Sequence, residues 1–171
     1  MTSRLSNDFL AVTLSEQVAR ENGIVSSWER IFPEGVFRHP EYGKLDFRQS
    51  YFADIIKNFN ERVRGTDIMV DLHHQEESDA AGWIRQLEHR PGSGLWALVE
   101  WTDVGVDKVS RRLLRYFSPE IRTHTNEATG VSTPRVLCAV TLTNRPFLKQ
   151  QDGIELVLSE LTRMTVEEAA R

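Results

Sequence analysis

The spacing of apolar residues changes rhythm along the chain. Tyr51, Phe52, Ile55, Ile56 and Phe59 recur at helical intervals, with Arg62 and Arg64 behind them and Gly65 as a stop, which predicts a helix. From Ile68 to His74 the period is two. Ile68, Val70, Leu72 and His74 share one face of the predicted strand; Met69, Asp71 and His73 share the other. Trp83–Glu88 and Leu95–Trp101 flank Pro91-Gly92-Ser93-Gly94, the best hairpin signal in the chain. A second helix is expected from Asp103 or Gly105 through Val106, Val109, Leu113 and Leu114. Phe117-Ser118-Pro119 breaks it, because Pro119 pushes Ser118 out of the α region. Glu120–Thr125 and Pro134–Thr143 read as strands around an Asn126–Gly130 turn. Short strands are expected at Phe9–Leu14, Val36–Phe37 and Lys44–Phe47. Ile24–Phe32 is mixed, and Ile154–Arg171 has an amphipathic helical pattern. The tally is an α+β chain whose many short strands form a curved or barrel-like sheet, without strict βαβ alternation.

A length of 171 residues is room for one domain, taken as 1–150, with 151–171 as a C-terminal helix or the start of a scaffold or linker segment. Hydrophobic residues at 40% and charged residues at 27% are enough for a core and too apolar for disorder. The net charge of −4 argues against a protein that coats nucleic acid, since phosphate binding needs a positive field. No apolar stretch approaches the roughly 18 residues of a membrane span, and no signal segment is evident, so a membrane role is not expected. The single cysteine, Cys138, builds neither an internal disulfide nor a cysteine zinc site and points to a reducing cytoplasm.

Candidate chemistry concentrates in two places. Asp71-Leu72-His73-His74-Gln75-Glu76-Glu77-Ser78-Asp79 brings imidazoles and carboxylates together, suited to acid–base work or to a metal ion. Its ligand spacing fits a metal poorly, and the plainer reading is a strand end running into a solvated acidic loop. Ser118 lies between a helix end and a new strand and is followed by proline. That is the rigid presentation a nucleophilic serine needs, although a plain turn serine is commoner. Arg111, Arg112 and Arg115 are oxyanion candidates or simply favourable charges at a helix C-terminus. Trp83, Trp96 and Trp101 read as packing residues, His39, His89 and His124 as surface residues, and Cys138 as a buried thiol.

Six segments, in one order, carry a likeness to a known family. They are Phe32-Pro33-Glu34-Gly35 with Tyr42-Gly43-Lys44-Leu45; Val70-Asp71-Leu72-His73-His74-Gln75; Ala80-Ala81-Gly82-Trp83-Ile84; Gly94-Leu95-Trp96-Ala97 with Val99-Glu100-Trp101-Thr102; Arg115-Tyr116-Phe117-Ser118-Pro119-Glu120; and Leu142-Thr143-Asn144-Arg145-Pro146. Over residues 28–148 the chain resembles the Mu-like prophage I protein family of phage capsid-maturation proteases. The resemblance implies a fold related to the herpesvirus assembly proteases, a small and mostly antiparallel β-barrel flanked by helices. It implies a serine endopeptidase without a cofactor that works in the host cytoplasm, inside the procapsid. There such a protein cuts the scaffold, and often itself. Scaffold protein and major capsid protein would be its partners, a peptide its substrate, and a homo-oligomer is open. The family histidine falls on His74, with His73 as the alternative, and the family serine on Ser118. Related proteases carry an acid on the strand before the last motif. Here that strand reads Leu137-Cys138-Ala139-Val140-Thr141, leaving Asp71 or Asn144 as substitutes. The missing acid keeps a second function open, a catalytically inactive protease-fold module that binds scaffold or capsid.

Overall fold

Alternating apolar residues build one large sheet in the computed structural model, which describes residues 18–21, 23–75 and 77–154. In chain order the strands are β1 (Val18–Glu21), β2 (Ile24–Pro33), β3 (Gly35–His39), β4 (Gly43–Phe47), β5 (Ile68–Leu72), β6 (Gly82–Arg90), β7 (Gly94–Trp101), β8 (Tyr116–Thr125) and β9 (Ser132–Thr143). The helices are α1 (Gln49–Asn60) and α2 (Asp103–Ser110). Seven strands join in the order β1-β2-β7-β6-β5-β9-β8, while β3 and β4 form a separate hairpin. All named pairings are antiparallel except β5 with β9. The α+β class stands.

The sheet is strongly curled. β7 and β8 are four positions apart in the strand order, about 19 Å on a flat sheet. Yet the Trp101 ring on β7 stacks on Phe117 of β8 with centroids 6.0 Å apart. Curling buries Val70, Ala97, Val99, Val140 and Leu142 on the concave side, with Phe52 and Ile55 of α1 in the same core. The curl stops short of the expected barrel, because no backbone ladder joins β8 to β1 or β2 among the described residues. The segment after β9 bridges that gap instead. Its Asp152 pairs with Arg30 of β2 at 3.3 Å, and its Ile154 N–H donates to the Arg115 carbonyl beside β8 at 2.7 Å.

α1 is tied to the strand that carries part of the candidate site. Buried Asn58 donates from Nδ2 to the carbonyls of Pro134 and Arg135, both at 3.0 Å, and Arg135 pairs with Asp54 at 2.7 Å. α2 is capped by Thr102, whose hydroxyl accepts from the Gly105 N–H.

Several boundaries differ from the sequence expectation. Ile24–Phe32, read as mixed, lies within the ten-residue β2; its inner face carries Val25, Ser27 and Ile31, and the polar Ser27 hides the alternation. α2 ends at Ser110, before Leu113 and Leu114. β8 starts at Tyr116, so Ser118 and Pro119 lie within a strand and not before it. Proline is tolerated there because β8 is an edge strand, with one side of its backbone unpaired. The elements expected at Phe9–Leu14 and beyond Ile154 lie outside the described residues.

Candidate functional site

Strand register gathers three polar residues on one rung. Ser118 of β8 lies opposite Thr141 of β9, and Thr141 lies opposite Asp71 of β5. Their chain neighbours Phe117, Val140, Leu142 and Val70 face the core, so alternation turns Ser118, Thr141 and Asp71 to the convex side. All three are nonetheless buried, at 3%, 0% and 3% exposure. Buried polar groups need partners. Thr141 donates from its hydroxyl to Asp71 Oδ1, and the Thr141 Oγ1 atom itself lies 3.1 Å from His74 Nδ1.

His74 reaches this rung because β5 stops earlier than its alternation suggests. The strand ends at Leu72, and His73 and His74 follow with φ of 56° and 57°. Two successive positive φ values are the mark of a type I′ turn, here closed by the Gln75 N–H donating to the Leu72 carbonyl at 3.0 Å. Left-handed backbone costs a non-glycine residue roughly 1–2 kcal/mol. The turn is held by its surroundings: the His73 N–H donates to the Leu142 carbonyl at 3.1 Å, and Ser78 Oγ accepts from the Leu72 N–H at 3.2 Å. The turn takes His74 off the apolar face on which alternation would place it with Val70 and Leu72. It brings the ring of His74 to Thr141, whereas His73 makes no side-chain hydrogen bond among the described residues.

Ser118 Oγ accepts a long hydrogen bond, 3.4 Å, from the Phe147 N–H. Among the described residues no hydrogen bond joins Ser118 to His74. Phe147 belongs to the segment after β9, and its exposed ring stacks on His39 of the β3–β4 hairpin, 4.4 Å away and nearly parallel. A groove of about 650 Å³ adjoins the rung on the convex side, lined in part by Met69, Asp71, Trp83, Glu120, Arg122 and Ala139. Glu120 and Arg122 within it form an ion pair.

The remaining sequence candidates have other engagements. Asn144 accepts from the Arg115 N–H through Oδ1 at 3.1 Å and donates from Nδ2 to the Leu113 carbonyl at 2.8 Å, which ties the β9 exit to the β8 entry. Arg111 is exposed and pairs with Asp107 at 3.3 Å, and Arg112 is exposed. Arg115 lies against Gly153, and its buried Nε has no partner among the described residues. His89, expected at the surface, is half-buried and bonded to Glu34 at 2.8 Å, because the β6–β7 hairpin folds its end over the β2–β3 turn. That bond holds the Glu34 carboxyl below its usual range. Among the described residues, no group of three or more His, Cys, Asp and Glu side chains is placed to hold a metal ion. Thr141 is the member of this cluster that sequence reasoning did not single out, since one threonine in an apolar strand carries no local signal.

Residues 29–155 match the model of the Mu-like prophage I protein, N-terminal domain. The chain belongs to this family. A Mu-like prophage I domain is a phage-type protein, and the match takes in Asp71, His74, Ser118, Thr141 and the Phe147 segment. No curated protein and no solved structure gives a match.

Proposed function

We propose that this Mu-like prophage I domain is a serine endopeptidase of virion assembly, with Ser118 as nucleophile and His74 as general base. It would act on scaffold protein, and on its own chain, within the procapsid in the host cytoplasm. The observation that carries the reading is the shared rung: Ser118, Thr141 and Asp71 lie side by side on three strands, with the His74 ring hydrogen-bonded to the middle one. In that chemistry His74 Nε2 takes the hydroxyl proton as Ser118 Oγ attacks the peptide carbonyl. The C–N bond breaks, the amine leaves with the proton from His74, and water then frees the acyl group by the same route. The Phe147 N–H is a backbone donor beside Ser118 Oγ, and such a donor would serve an oxyanion once aimed at the substrate carbonyl oxygen. Strain in the His73–His74 turn agrees with a functional histidine, since such strain collects at active sites.

The test is co-expression with the scaffold and capsid proteins of the same phage. Cleavage products are expected with the native chain and none with Ser118→Ala. Unchanged cutting by Ser118→Ala removes the serine mechanism.

A second reading rests on the coverage of Ser118, which is buried and capped by the Phe147 amide. A non-catalytic module that binds scaffold or capsid would retain such a covered serine. It predicts shell or scaffold binding unaffected by Ser118→Ala, with no hydrolysis; Ser118-dependent proteolysis under assembly conditions excludes it.

A further inference from the structure

We infer that Thr141 is a positioning residue that sets the tautomer of His74 and relays the charge of Asp71 to it. The inference rests on the serine-peptidase reading for its catalytic meaning, though not for its structural test. A hydroxyl has one proton to give and two lone pairs to accept with. The Thr141 proton goes to Asp71 Oδ1, the carboxyl oxygen that accepts it. The Thr141 oxygen is then left as an acceptor 3.1 Å from His74 Nδ1. His74 Nδ1 must therefore carry the ring proton, and its Nε2 keeps the lone pair that a general base needs.

The arrangement does the work of a carboxylate hydrogen-bonded directly to the histidine, with one hydroxyl inserted. Asp71 has the charge but makes no bond to His74; Thr141 touches both. The burial of Asp71 and Thr141 keeps water from competing for these bonds. The placement also accounts for the strand Leu137–Thr141 lacking an acid. The acid stands on the neighbouring parallel strand, on the same rung, and reaches the histidine through β9.

The test is the nitrogen spectrum of His74 in the full chain, recorded at a pH high enough that the spectrum itself shows the ring to be neutral. The native protein is expected to show the Nδ1–H form. Thr141→Val removes the acceptor and should return the ring toward the Nε2–H form that free histidine prefers, while Thr141→Ser should keep Nδ1–H. A native protein in the Nε2–H form overturns the inference with no variant needed, so a Thr141→Val chain that fails to fold does not shelter it. Nδ1–H persisting in a folded Thr141→Val also overturns it. In scaffold cleavage, Thr141→Val should lose about 10²–10⁴-fold in kcat with KM little changed, and Thr141→Ser should stay within about tenfold. If Ser118→Ala still cuts, the peptidase reading fails while the tautomer still decides the role of Thr141. If the tautomer is wrong and cutting depends on Ser118, the relay alone fails.

Discussion

Glu29 shows how one side chain can set a pH response for the fold. The residue is half-buried, and Ser27, fully buried, donates to its carboxyl at 2.9 Å while accepting from Trp101 Nε1 at 2.8 Å. Burial pushes the Glu29 carboxyl up to about 8. Its folded pKa therefore lies above the unfolded value, and the folded state holds the extra proton between the two. The contribution to stability is complete below the ordinary carboxylate range and is lost as pH rises toward about 8. Urea midpoints across that range should fall with pH in the native chain, and Glu29→Gln should flatten the slope. At this scale Ser118 and His74 drew notice in the sequence, because each stands within a recognisable run of neighbours. Thr141 did not: its partners are 70 and 67 residues away in sequence, so only the register of β5 and β9 assembles the cluster.

Among the elements, α2 reverses the usual rule for glycine in a helix. Gly to Ala in a helix interior ordinarily stabilises by about 1 kcal/mol. A Cβ on Gly105 would collide with the Ala81 carbonyl and crowd the Trp101 ring, since α2 packs backbone to backbone on the strand entering β6. Gly105→Ala should therefore destabilise by about 1–3 kcal/mol, the usual cost of overpacking, measurable as a lower denaturant midpoint. The β6–β7 hairpin and α1 were legible because their periodicity is local and clean. β2 was obscured by polar Ser27 on its inner face, and β5 was overextended because nothing in alternation announces that His73 and His74 leave the strand as a turn.

For the molecule as a whole, the sequence spoke to class but not to closure. A tally of strands and helices gives α+β, whereas a barrel depends on whether the edge strands meet, and here Asp152 and Ile154 sit between them. The one parallel ladder among the described residues, β5 with β9, also bears on the order of assembly. Hairpins β6–β7 and β8–β9 close short loops and β5 pairs locally with β6, while the β5–β9 ladder joins strands about 70 residues apart in the chain. Loop closure of that length comes late, after local contacts have formed. Pulse-labelled hydrogen exchange during refolding should protect β6 and β7 amides before the His73 amide, which donates to the Leu142 carbonyl of β9. During synthesis, β9 is the last of the nine described strands to leave the ribosome, and it is inserted between the strands that bear Asp71 and Ser118. A nascent chain thus carries Ser118 and His74 with no rung to align them until β9 is in place.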